Sequence, residues 1–159
     1  MPVRDFERSP KSTAKDVVDY EIGMLEHCAM RLLAFEDEVL TKDELAFLEA
    51  FLLHFRILLE FFGEPRESYP DNLHFELLES YDHGRSPSAT ALAKAREGAA
   101  RLTAEWNGKL NKFLAHPTDK RYQTPRSWPV EKMREEMRRL VALWRDTWGE
   151  PREWEIGDD

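Results

Sequence analysis

A single cysteine, Cys28, rules out an internal disulfide, so packing and hydrogen bonding must hold this chain together. Seven glycines among 159 residues are too few for an all-β fold with its many tight turns. No stretch approaches the roughly 20 consecutive apolar residues that a membrane-spanning helix needs. The opening residues, Met-Pro-Val-Arg-Asp-Phe-Glu-Arg, lack the apolar core of a secretory signal, so the cytoplasm is the expected compartment. Signatures of familiar chemistry are missing too. There is no phosphate-binding glycine loop, no dinucleotide turn and no Gly-x-Ser-x-Gly elbow. Glu-x-x-His pairs, which build metal centres in helical bundles, do not occur. The nearest pattern is Asp71-x-x-His74, and there is no His-x-x-x-His. Neither a metal nor a cofactor is therefore expected.

What remains is helical and charged. Thr13 followed by Asp16 forms a capping box with Asp in place of Glu. Val18, Ile22, Leu25, Cys28, Leu32 and Phe35 then recur at steps of three and four, which predicts a first helix running to about Glu38. On that face Cys28 reads as a small core residue. Thr41 with Glu44 opens a second helix, and Gly63 and Pro65 close it after about 21 residues, or roughly 31 Å. A long connection, 64–87, follows, with one short helix expected at 72–80. Ser86-Pro87 opens a third long helix through Leu92, Ala95, Ala99, Leu102, Trp106, Leu110 and Phe113, with Gly98 and Gly108 as points of weakness. Ser127-Trp128-Pro129 opens the last, whose seam is Val130, Met133, Met137, Leu140, Trp144 and Trp148, ended by Gly149 and Pro151.

The expected fold is all-α, a four-helix up-and-down bundle with one long crossover connection carrying a short helix. The expected organisation is an N-terminal arm, 1–12, one bundle domain, 13–149, and an acidic tail, 150–159.

The second helix carries the most information. Residues 45–62 are apolar almost all round, which places this helix at the centre of the bundle. Arg56 and Glu60 nevertheless fall within roughly 20° of Glu49, one on either side, on a helical projection, while His54 stands roughly 140° away on the apolar side. The stripe is either the solvent-facing edge of the central helix or one wall of a cleft in which Arg56 holds an anion. His54 is either a bonded core histidine or a general base. A second polar group, His116, Thr118 and Arg121, follows the third helix. It suits either helix capping or an anion pocket.

Net charge is −8, which disfavours a general nucleic-acid binder. Residues 16–60 hold eleven acids against three bases, and residues 94–126 hold eight bases against three acids. That split suits a protein partner, including a second copy of the chain.

The run Glu49-x-Phe51-Leu52-Leu53-His54-x-Arg56-x-Leu58, with His116-x-Thr118-x-x-Arg121 downstream, resembles a group of small, uncharacterised helical bacterial proteins that pair such a helix with such a turn. The resemblance covers about half the chain. It implies that His54, Arg56, His116 and Arg121 act together, and it carries no established activity. A more distant similarity is to HEPN-type helical bundles, some of which are metal-independent ribonucleases with an Arg a few residues before a His on one helix. This chain departs from that pattern: Arg66 and His74 are too far apart, and His116 precedes Arg121.

The expected function is binding without catalysis, with a homodimer as the candidate assembly. The alternatives are an RNA- or phosphate-directed enzyme, with His54 or His116 as acid–base group and Arg56 or Arg121 stabilising charge, and a small anionic-ligand sensor.

Overall fold

The computed structural model describes residues 13–35, 40–64, 72–81, 85–115 and 128–149. Four long helices make up most of them: α1 (Ala14–Leu33), α2 (Lys42–Phe62), α4 (Ala89–Ala115) and α5 (Val130–Trp148). Between α2 and α4 lie a 3₁₀ turn, Phe75–Leu77, and the short helix α3 (Leu78–Tyr81). No strand occurs among the described residues, and none of the helices described is long and apolar enough to cross a membrane.

Helix boundaries follow from local chemistry. At the start of α1, the Asp16 N–H donates to Thr13 Oγ1 at 3.2 Å and the Thr13 N–H donates to the Asp16 carboxylate at 2.8 Å. These hydrogen bonds hold the Asp16 carboxyl below its ordinary range. At α2, Thr41 and Glu44 form the reciprocal pair. Gly63 ends α2 with φ at −76°, so it is not a left-handed cap. Its role is spatial: a Cβ there would lie 3.0 Å from the Leu59 carbonyl oxygen. Gly149, at φ +68°, is the left-handed stop of α5.

Two boundaries differ from the sequence expectation. The first helix ends at Leu33 rather than near Glu38, with the Ala34 N–H bonded back to Met30 and Leu32. Continuing through Glu36-Asp37-Glu38 would stack three acids on the negative end of the helix dipole. The third long helix begins at Ala89, because Ser88 rather than Ser86 caps it: the Ala91 N–H donates to Ser88 Oγ at 3.1 Å. The expected arm, 1–12, and tail, 150–159, lie outside the described residues.

Side-chain pairs set the helix directions. Glu21 meets His54 while His27 meets Phe47, so α1 and α2 run antiparallel. Asp19 meets Arg145 while Glu26 meets Arg134, so α1 and α5 are antiparallel. Arg101 meets Glu136 while Glu105 meets Lys132, so α4 and α5 are antiparallel as well. The result is an up-and-down bundle in which α2 and α4 are also antiparallel neighbours.

The core fits the expected seams. Leu48, Phe51, Leu52, Phe55, Leu58, Leu59, Phe61 and Phe62 of α2 are all buried, in one core with Val18, Ile22, Leu25 and Cys28 of α1. Burial pushes the Cys28 thiol pKa up, which keeps the sulfur protonated and inert. Trp144 is fully buried among Phe61, Phe75 and Trp148, and its indole N–H donates to Asp19 at 2.9 Å.

Helix α4 runs unbroken through Gly98 and Gly108. The two glycines differ in surroundings. A Cβ on Gly98 would meet Leu140 Cδ2 at 2.7 Å, whereas one on Gly108 meets nothing within 4 Å. Gly108→Ala is therefore expected to stabilise the protein by about 0.5–1 kcal/mol, the helix-propensity gain alone. Gly98→Ala adds overpacking of about 1–3 kcal/mol against buried Leu140 and should destabilise on balance. Urea unfolding of both variants checks the contrast; equal gains would show that Leu140 yields freely.

Candidate functional site

The side chains of α2 and α4 do not fill the space between them. Over the facing stretch α4 presents Ala99, Ala100 and Ala104, and α2 ends in Gly63. Residues this small leave an open cleft of about 670 Å³. Its α2 wall carries Arg56, Glu60 and, just past the helix, Glu64. Its α4 wall carries Arg96, Thr103, Asn107 and Asn111. The last three recur every four residues and so form one rail along the helix. Asn72 and His74, from the connection before the 3₁₀ turn, complete the lining.

Each arginine of this cleft has a carboxylate partner. Arg56 Nε donates to Glu60 at 3.3 Å, and Arg96 reaches Glu76 at 2.5 Å. The hydrogen bond that Arg96 donates to the Glu76 carboxylate raises the Arg96 pKa above its ordinary value.

His74 is the exception. It is only 4% exposed, and neither ring nitrogen has a hydrogen-bond partner among the described residues. Its carbonyl oxygen accepts from the Leu77 N–H at 3.0 Å, which fixes the backbone at this point. The next residue, Phe75, is 1% exposed and packed on Phe61 and Phe62. A buried polar side chain is normally bonded, and leaving it unpaired costs about 1–3 kcal/mol. A neutral imidazole offers one donor and one acceptor, so His74, a residue of the cleft lining, carries both kinds of unused capacity on nitrogens that are closed to solvent.

The residues expected to matter from sequence separate into three places. Arg56 and Glu60 line the cleft. Glu49 is half-buried, further towards the N-terminus of α2, and does not line it. His54 points towards α1 instead: its Nδ1 lies 2.5 Å from Glu21 Oε2, and Tyr20 meets its ring edge-on at 6.0 Å. It is thus the bonded core histidine of the two readings, and it does not share a cavity with Arg56. His116, Thr118 and Arg121 lie outside the described residues. His74 was the residue missed. Its signal in sequence was a polar residue set against Leu73, Phe75, Leu77 and Leu78 in a segment otherwise read as connection.

No group of three or more His, Cys, Asp or Glu side chains among the described residues is arranged to hold a metal ion. No protein-family model, curated protein or solved structure matches the chain.

The His54–Glu21 pair is sheltered, with side chains 10% and 15% exposed. Removing one partner leaves the other without its bond. His54→Ala is expected to cost about 3 kcal/mol, and the double variant with Glu21→Ala should cost less than the two single losses added. Denaturant unfolding of the four proteins gives the coupling; strict additivity would show that the pair contributes nothing.

Proposed function

We propose that this is a cytoplasmic, non-enzymatic binding protein whose α2–α4 cleft takes a small polar molecule. The observation that carries the reading is His74, buried at the cleft with both ring nitrogens unpartnered. Cleft volume supports it: about 670 Å³ is within the range of small-molecule sites, roughly 300–1,000 Å³. His54, one of the two histidines of the enzyme alternative, is paired with Glu21 and does not line the cleft. Scanning the melting temperature against a panel of nucleosides, nucleotides, amino acids and sugars tests the proposal. A true ligand at a hundredfold excess over its Kd should raise Tm by roughly 5–10 °C. Ala100→Trp, which fills the cleft from its exposed rim, should abolish the rise. A flat Tm across the panel would refute the proposal.

A homodimer has support of its own. Tyr20 and Leu53, on α1 and α2, are 59% and 47% exposed, and Val17 is 38% exposed. Apolar side chains so displayed on the α1–α2 surface suit a second copy of the chain. Light scattering after size exclusion should report a dimer at micromolar concentration that Leu53→Glu returns to monomer. A monomer at every concentration and salt would remove this assembly.

A further inference from the structure

The cleft's chemistry narrows what it takes. Resting on the reading of the cleft as a ligand site, we infer that its ligand is an uncharged heterocycle whose edge sets a hydrogen-bond donor beside an acceptor, a nucleobase or its nucleoside, rather than an anion.

Charge is the first argument. Both guanidinium groups on the walls already have carboxylates beside them, Arg56 with Glu60 and Arg96 with Glu76. Glu64 adds a further acid. An incoming phosphate or carboxylate would meet guanidinium groups whose charge is already offset by Glu60 and Glu76, and would face Glu64 as well. These three acids outnumber the two arginines beside them.

Hydrogen-bonding capacity is the second. Apart from the ion pairs, the polar lining on α4 is Thr103, Asn107 and Asn111, with His74 opposite on the connection. Each of these groups donates and accepts. An Asn amide pairs in two-point fashion with a base edge that offers a donor beside an acceptor, and a neutral imidazole matches the same kind of edge. Successive members of the α4 rail are separated by about 6 Å along the helix, so a planar ring fits between neighbours and a sugar extends along the remainder.

Shape is the third. Leu59 and Ala99 give the cleft a low aliphatic floor, on which a flat ring loses water without meeting a bulky side chain.

Isothermal titration of the full chain with uracil, uridine and uridine monophosphate, and with adenine, adenosine and adenosine monophosphate, tests this. One base series should bind, and its monophosphate should bind no more tightly than its nucleoside. Asn107→Leu, at a half-buried position that does not threaten folding, should weaken binding by about tenfold or more, as should His74→Gln. Monophosphates or inorganic phosphate binding at least tenfold better than nucleosides, and blocked by Ala100→Trp, would overturn the ligand class while leaving the cleft as a site. Nucleosides binding equally well to Asn107→Leu and Ala100→Trp would also overturn it, by placing them elsewhere. No binding by either charged or uncharged compounds would defeat the ligand class and the cleft reading together.

Discussion

Phe75 is the residue on which the arrangement of the cleft depends. Its ring sits 5.9 Å from Phe61, 5.5 Å from Phe62 and 6.4 Å from Trp144, so it closes the aromatic cluster at the C-terminal end of α2. Full burial of a phenyl side chain is worth about 1.5–3 kcal/mol, and edge-to-face contacts add to that. This is enough to anchor a connection whose described residues form a 3₁₀ turn and one helical turn. The anchor also sets His74. With the backbone of His74 extended at φ −137° and ψ 140°, adjacent side chains leave on opposite sides. Phe75 enters the core and His74 lines the cleft.

The bundle itself is joined by a second system, the charged contacts between α1 and α5. Glu26 accepts from Arg134 and Arg138 at 2.7–2.8 Å, and Asp19 accepts from Arg145 and from the Trp144 indole. These groups are partly buried, so they are screened less than surface pairs and fix the register of the two helices. They also account for part of the acidic excess of residues 16–60. That excess is answered within the chain, by arginines of α5, and α5 lies outside the basic segment 94–126 that the charge pattern brought forward. Helix α4 spends part of its own charge similarly, with Arg101 bonded to Glu136 and holding that carboxyl below its ordinary range.

Much of the fold was legible because its determinants are local. The capping boxes at Thr13 and Thr41, the stop at Gly149 and the three-and-four spacing of apolar residues each act within a single turn or two. The candidate site was less legible because its determinants are distant. Arg56 and Glu60 could be placed on one stripe of α2, but whether that stripe faced water or a cleft depended on the small residues of α4, some forty positions away. His54 could be placed on the apolar side, but its partner Glu21 is 33 residues earlier. His74 carried almost no periodic signal, since its burial is imposed by Phe75 rather than by a helix face. The start of α4 was misplaced by the competition between two serines: Ser86 has proline after it, but Ser88 makes the bond.

Gly63 and Ser88 bracket the segment that supplies His74, and this has an evolutionary side. Bundle helices are constrained along their whole length by interlocking neighbours, so their sequences drift slowly. Among its described residues the connection is held through Phe75, Leu78 and the Glu76–Arg96 pair, all at or after residue 75, and lengthening such a segment costs little entropy, about 0.6 kcal/mol for each doubling. One wall of the cleft can thus be rewritten by insertion or substitution while Phe75 and the four helices stay as they are. Related chains would be expected to keep the bundle and the phenylalanine and to diverge in selectivity through the residues just before it.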